Sequence, residues 1–304
     1  MTRGIYITAN NKVTDHAIAL LNSIRKYDNE TPICLIPYDE NYAELAELLA
    51  DRYGVTVYED MDLVDRVSKR LHETFGGDFF ARPNQFRKQA CWFGPFEEFL
   101  YIDTDIVVFE KIADNLDYFS EYDFLCCDYQ HLGGITNVFS QTVIDQNIFT
   151  PEELKDMFNG GFWASKRGLL TEQDLYDTFA ECAQHPEYFD FSQKTSDQPI
   201  INYMMLKRFK RRFNIVRRPQ GGPGNWAGSP QFVQENGIWV DPTCGQPLQY
   251  LHWAGIRIEP GCPYWDVWAE SRYAGEVMPQ FEGAPKSGPT FKQGVKQLLT
   301  NLRG

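Results

Sequence analysis

At 304 residues the chain has room for one large domain or two modest ones. Its content of 43% apolar and 15% aromatic residues supports a real core and leaves no case for global disorder. A formal net charge of −13 excludes a general nucleic-acid binder, which needs a basic face against phosphates. An anionic ligand is compatible with this charge only through a metal ion or a local basic cluster.

The chain order is informative. Residues 4–9 read as a first strand, broken by Asn10-Asn11. Ala17, Ile18, Leu20, Leu21 and Ile24 follow with helical spacing, with Thr14 or Asp15 as the N-cap. Residues 33–36 form a second strand closed by Pro37, Leu45, Leu48 and Leu49 mark a second helix, and residues 55–58 a third strand. This alternation predicts a parallel α/β sheet, whose ligands sit at the carboxyl ends of the strands. Asn10 falls at such an end. A helix over 86–93 precedes an apolar strand over 99–109, which Asp103 and Asp105 interrupt. Residues 124–127 read as another strand, 131–147 as irregular, and 159–164 as a turn feeding a strand. Helices are predicted near 172–183 and 196–209, a Gly/Pro-rich loop over 219–230, and a short strand over 248–253.

The last residues change character. Lys286, Lys292, Lys296 and Arg303 meet no acidic residue over 285–304, and Phe291, Val295, Leu298, Leu299 and Leu302 recur with helical period. Two readings stand for this tail: a helix packed on its own domain, or a weak anchor to an anionic membrane or a partner surface. The division expected is a main domain over 1–260 and an extension over 261–304. Seven cysteines without a C-x-x-C pair point to a reducing compartment and no structural zinc, with the adjacent Cys126 and Cys127 as small core residues. The start Met1-Thr2-Arg3-Gly4 runs into a strand rather than a signal peptide, and no apolar run approaches the ~20 residues that span a bilayer. A cytoplasmic protein is expected.

The chemistry centres on Asp103 and Asp105. Residues two apart on an extended chain point the same way, so both carboxylates can converge. Two like charges in an apolar setting are costly without a cation between them. Mg²⁺ or Mn²⁺ suits such oxygen ligands and keeps open positions for phosphate oxygens. The bland alternative is a strand ending at Asp103 with both acids solvated, and the apolar run after Asp105 weakens it. Arg87 and Lys88, with Arg82 behind them, can reach a diphosphate or can simply form a solvated helix face. Asn159-Gly160-Gly161 offers either a backbone open to close approach by a ligand, with an amide to read hydroxyls, or a plain β-turn. Ser196-Asp197-Gln198-Pro199 opens a helix, as a cap alone or with Asp197 and Gln198 at a pocket mouth. His252, at a strand end, is a structural residue unless it completes the acidic pair. Of Trp226, Trp253, Tyr264, Trp265 and Trp268, one or two are expected to face a sugar ring and the rest to build core.

The ordered set Arg87-Lys88-Gln89-Ala90-Cys91-Trp92, Tyr101-Ile102-Asp103-Thr104-Asp105, Phe158-Asn159-Gly160-Gly161, Ser196-Asp197-Gln198 and His252-Trp253-Ala254-Gly255 resembles the glycogenin-like and galactosyltransferase-like sugar transferases of glycosyltransferase family 8. Ile7-Thr8-Ala9-Asn10-Asn11 and Leu20-Leu21-Asn22-Ser23 are similar too, and the likeness spans about residues 4–260. It implies a GT-A fold: a Rossmann-like mixed α/β sheet flanked by helices. It implies a hexosyltransferase that takes a nucleotide sugar, usually a UDP-sugar, with Mn²⁺ or Mg²⁺ and retention of configuration. Asp103, Asp105 and His252 then match the metal ligands, and Asp197 and Gln198 the acidic–amide pair near the anomeric carbon. Thr8, Ala9, Asn10, Lys88, Thr104, Asn159, Gly160, Gly255 and Arg257 match the nucleotide-sugar contacts. Ile258 replaces the lysine the family carries after its H-x-x-G, with Arg257 one place early, and Asn-Gly-Gly replaces Asn-Ser-Gly. The acceptor (glycan, lipid or small molecule) is left open. The alternatives are a sugar nucleotidyltransferase, which lacks its Gly-rich N-terminal loop here, and a non-catalytic carbohydrate-binding protein.

Overall fold

The computed structural model describes residues 1–76, 83–127, 138–189, 196–218 and 221–280. Arg82, residues 131–137 and the basic tail lie outside these. In chain order the elements are β1 (Arg3–Ala9), α1 (Thr14–Tyr27), β2 (Ile33–Pro37), α2 (Ala43–Tyr53), β3 (Thr56–Val57), α3 (Met61–Phe75), β4 (Glu98–Ile102), β5 (Ile106–Val108) and β6 (Phe124–Cys126). They continue with α4 (Thr142–Asp145), α5 (Pro151–Leu154), β7 (Phe162–Lys166), α6 (Glu172–Gln184), α7 (Gln198–Arg208), β8 (Arg212–Asn214), β9 (Val233–Glu235), β10 (Ile238–Asp241), β11 (Gln246–Pro247), β12 (Tyr250–His252) and α8 (Trp265–Arg272).

The main sheet runs β3-β2-β1-β4-β7-β6-β8. Its strands are parallel except β7, which pairs antiparallel with both β4 and β6. The first half is therefore the β-α-β-α-β unit that the apolar periodicity predicts. β7 enters the sheet opposite the end of β4, with Phe162 facing Ile102, so the Asn159–Gly161 turn lands at the carboxyl end of β4.

Several local expectations change. The run over 99–109 is not one strand. β4 stops at Ile102, Asp103–Asp105 form a turn, and β5 leaves to pair antiparallel with β12 in a separate ribbon. Asp103 and Asp105 thus meet across a turn rather than along an extended chain, because the apolar residues on either side serve two different sheets. The segment Pro83–Phe93 is a 3₁₀ helix rather than an α-helix. α1 begins at Thr14 itself. The 3₁₀ turn before it is capped by Asn10, whose side chain accepts from the Lys12 amide.

Aromatic stacking holds the sheet to its helical cover. Trp163 on β7 is fully buried and lies flat against Trp92 at 5.3 Å, Tyr101 at 5.5 Å and Phe124 at 5.9 Å between ring centroids. On the opposite face α8 packs on α1, and Trp265 and Trp268 join Val107, Leu251 and Trp253 in one cluster. No helix among the described residues is long and apolar enough to cross a membrane. Trp163→Ala should cost about 3–5 kcal/mol, read from the denaturant midpoint at unchanged slope. A cost under about 1 kcal/mol would mean the stack is not what joins the two layers.

Candidate active site

Two strand ends and two turns build the site. His252, at the end of β12, pairs in register with Ile106, which carries it alongside Asp105. Its Nε2 is 3.2 Å from Asp105 Oδ1, and the Asp105 carbonyl accepts from the Trp253 amide at 3.0 Å. Ligand atoms of Asp103, Asp105 and His252 all lie within 4.8 Å of one another. Two carboxylate oxygens and an imidazole nitrogen suit a divalent ion such as Mn²⁺. Burial works against the charge of Asp105, but His252 holds its carboxyl below the ordinary range.

The cluster depends on the missing side chain of Gly161. The Gly161 carbonyl accepts from the Asp103 amide at 2.8 Å. A Cβ on Gly161 would stand 2.4 Å from His252 Cε1 and 2.9 Å from Asp103 Oδ2. The close approach expected at this turn is therefore made by the Asp103 and His252 side chains of the chain itself. Gly160, its neighbour, has ordinary room: a Cβ there would lie 3.6 Å from Asp197 Oδ2. Asn159 Oδ1 accepts from the Gly161 amide at 3.0 Å and so closes the turn.

Lys88 stands beside this cluster with its side chain 5% exposed. Its Nζ lies 2.9 Å from Asp197 Oδ2, 3.5 Å from Asp103 Oδ1 and 4.9 Å from the centre of the Tyr101 ring, and donates to the Gly160 carbonyl at 3.2 Å. The Tyr101 hydroxyl donates to Asp103 at 2.5 Å. Burial opposes the charge of Lys88, yet Asp103 and Asp197 hold the ammonium well above its ordinary value. Burial pushes the Asp197 carboxyl up against the pull of Lys88. Asp197 occupies the N-cap position of α7, but its side chain makes no cap bond. Ser196 Oγ accepts from the Gln198 amide at 3.3 Å instead, which frees Asp197 for Lys88.

The other expected residues are spread along the same sheet edge or away from it. Thr8, on β1, lies beside the Tyr101 hydroxyl. The Ala9 carbonyl accepts from the Tyr38 amide, and Asn10 donates to Asp39 at 2.7 Å, so these two shape the end of β1. Thr104 is buried within the acidic turn. Gln198 opens α7 and its carbonyl accepts from Asn202 at 2.9 Å. Gly255, with φ of +72°, lets the chain turn after β12. Arg257 is 86% exposed and pairs with Glu259 at 3.0 Å, outside the Lys88 cluster. Arg87 turns to Pro37, Glu40 and Asp65 rather than to Asp103.

Sequence reasoning missed Tyr101, the role of Gly161, and His16. The His16 ring on α1 sits edge-on to Trp268 at 5.9 Å and feels the charge of Asp105. Burial lowers its pKa. A histidine within an amphipathic helix carries no local signal of this. The loop expected over 219–230 is tied down by hydrogen bonds where it is described. Its residues 224–227 are bonded to Asp241 and to both sides of His252.

A family model described as "Mannosyltransferase putative" matches residues 2–124, which include Asp103 and Asp105 but not Asp197 or His252. The "Putative alpha-1,3-mannosyltransferase MNN1" of Candida albicans is 25% identical over 201 residues, covering 58% of this chain and 23% of that protein. The chain thus spans about a quarter of that relative's length. The structure of the galactosyltransferase LgtC, in complex with donor and acceptor sugar analogs, aligns over 92% of this chain and 98% of its own with a TM-score of 0.58 at 12% identity. The bifunctional glycosyltransferase WbbM aligns over 90% of this chain and 50% of its own with a TM-score of 0.54 at 15% identity.

Gly161→Ala should lower Mn²⁺ affinity at least about tenfold, measured by calorimetric titration, while Gly160→Ala stays close to the unchanged chain. Equal affinities for both variants would remove the cradle argument. Lys88→Met should destabilise the fold by about 3–5 kcal/mol by leaving Asp197 buried without its cation, and adding Asp197→Asn should recover part of it. The pH dependence has a fixed sign. The folded pKa of Asp197 lies above the ordinary aspartate value, so the native state binds more protons than the unfolded chain in that window. The Lys88→Met variant should therefore lose stability as pH rises from about 4 towards neutrality, and a flat difference curve against Asp197→Asn would contradict the assignment. With its mixed seven-stranded sheet, the chain shares the fold of these solved glycosyltransferase structures.

Proposed function

We propose that the chain transfers a hexosyl group from a nucleotide sugar to an acceptor hydroxyl, with Mn²⁺ or Mg²⁺ bound by Asp103, Asp105 and His252 and with retention of configuration. The observation that carries this reading is the convergence of those three side chains within 4.8 Å, beside the buried Lys88–Asp197 pair, at the carboxyl end of β4. Ligands of open α/β sheets bind at such ends. The mannosyltransferase descriptions of the family and of the Candida relative make mannose the first sugar to test. The family 8 likeness favours a UDP-sugar, so a donor screen should hold both UDP- and GDP-sugars.

The residues present fit a divalent ion: two acids, one imidazole, and a glycine whose missing Cβ leaves room for them. When bound, the ion supplies positive charge to the diphosphate as the nucleotide leaves. The chain's own residues do the rest. Thr8, Ala9 and Asn10 form the wall at the end of β1 for the nucleoside. Lys88 keeps positive charge next to Asp103 and pins both Asp197 and the Gly160 carbonyl, so the sugar-facing edge stays ordered before a donor arrives. Asp197 and Gln198 orient the sugar and steady positive charge at its anomeric carbon. Because these groups are held by burial and by one another, little reorganisation is required at the moment of transfer.

Thermal shift with UDP or GDP, each with and without Mn²⁺, is the first measurement. Joint stabilisation by nucleotide and metal is expected, and a carbohydrate-binding scaffold would show none. Asp105→Asn should reduce metal-dependent transfer by at least about 100-fold and leave the circular dichroism spectrum unchanged. Near-normal transfer by this variant at saturating donor would refute the metal assignment.

A further inference from the structure

Trp226 stands apart from the other aromatics of the C-terminal part. Trp253, Trp265 and Trp268 are 0%, 8% and 4% exposed and belong to one core cluster, whereas Trp226 is 37% exposed. Its ring is nonetheless fixed. The indole N–H donates to the Ala254 carbonyl at 3.0 Å, and a Cβ on Gly228 would stand 2.4 Å from the ring atoms. Backbone at Gly228 therefore backs the indole closely, and its polar atom is already satisfied. What remains for solvent is apolar ring surface.

The ring's backbone is locked to a proposed metal ligand. Trp226 forms a parallel bridge with His252, in which the His252 amide donates to the Asn225 carbonyl at 2.7 Å and the Ala227 amide to the His252 carbonyl at 2.8 Å. Paired strands run about 4.8 Å apart, which places the Trp226 backbone beside that of His252. Two further ties hold the segment. Asp241, with no exposed surface, accepts from the Gly224 amide at 2.7 Å, and Asn225 Nδ2 donates to the Cys127 carbonyl at 3.1 Å and the Tyr250 hydroxyl at 2.9 Å.

Position along the sheet edge separates donor from acceptor. Asn10 and Asp39 lie at the ends of β1 and β2, Asp103 and Asp105 follow β4, and Gly160 and Gly161 precede β7. Asn225 sits against Cys127 at the end of β6, the next strand in this order. Trp226 is thus across the acidic cluster from the β1–β2 wall assigned to the nucleoside. We propose that the exposed indole face of Trp226 is the stacking platform for the acceptor, a pyranose whose apolar C–H face lies on the ring. The assignment rests on the transferase reading for its meaning, since an acceptor exists only if a sugar is transferred.

Saturation-transfer NMR with the methyl glycosides of mannose, glucose, galactose and N-acetylglucosamine tests binding without nucleotide or metal. The unchanged chain should bind at least one of them. Trp226→Ala should weaken that binding by about tenfold or more, and Trp226→Phe should keep most of it. The affinity for nucleotide with Mn²⁺ is the counter-measurement. A prop that merely holds His252 would lower it in Trp226→Ala, and a platform would not. Equal glycoside binding by Trp226→Ala and the unchanged chain, no binding of any glycoside by the unchanged chain, or loss of nucleotide–Mn²⁺ affinity in Trp226→Ala each overturns the proposal. Glycoside binding that depends on Trp226 in a chain that binds no nucleotide with metal leaves the platform standing and removes the transferase reading.

Discussion

Three carboxylates crowd the carboxyl edge of the main sheet, and one buried ammonium holds two of them. Lys88 lies between Asp103 and Asp197 with almost no exposed surface, and Asp105 takes the other side of the acidic turn against His252. Buried charge of one sign is tolerated only with partners close by. Lys88 supplies one partner. The geometry of Asp103, Asp105 and His252 brings together three groups that could hold a second positive charge. The arrangement is electrostatically incomplete in a direction that suits a cation.

This balance constrains the backbone around it. Gly161 carries no side chain because the His252 ring and the Asp103 carboxylate occupy the place of its Cβ. β4 and β5 part company at the acidic turn because β4 belongs to the seven-stranded sheet while β5 must meet β12 to deliver His252. The 224–227 segment is fastened on both sides of His252, so the imidazole is held by backbone bonds rather than by side-chain packing alone. A site built on strand ends and tied turns is already ordered for charged ligands, which is the condition for electrostatic stabilisation without reorganisation.

Much of the first half was legible along the chain. The alternation of strand and helix over residues 4–58 has the period of each element written in its apolar residues, and Asn10 at the end of β1 is where such a sheet binds its ligands. Asp103 and Asp105 stood out because ionised residues rarely interrupt an apolar run without a reason. The reading of one long strand across them failed for a physical cause. Apolar residues on both flanks report burial, and burial is the same whether the chain continues in one sheet or turns into another. The 3₁₀ form of Pro83–Phe93 was likewise invisible, since its apolar spacing does not separate the two helix types.

The amino-acid order by itself determined the fold class, the acidic pair and the set of residue types that could serve a metal and a diphosphate, because each of these is a local pattern of polarity and spacing. Tertiary structure alone decided which candidates meet. His252 is separated from Asp105 by much of the chain and reaches it through the β5–β12 ribbon, Asp197 gives up capping its helix to face Lys88, and Arg257 stays with Glu259 at the surface. It also decided that Trp226, rather than the other tryptophans near it, keeps a face to solvent. Contacts between distant residues depend on how sheets cross and where turns close, and no short stretch of sequence carries that information.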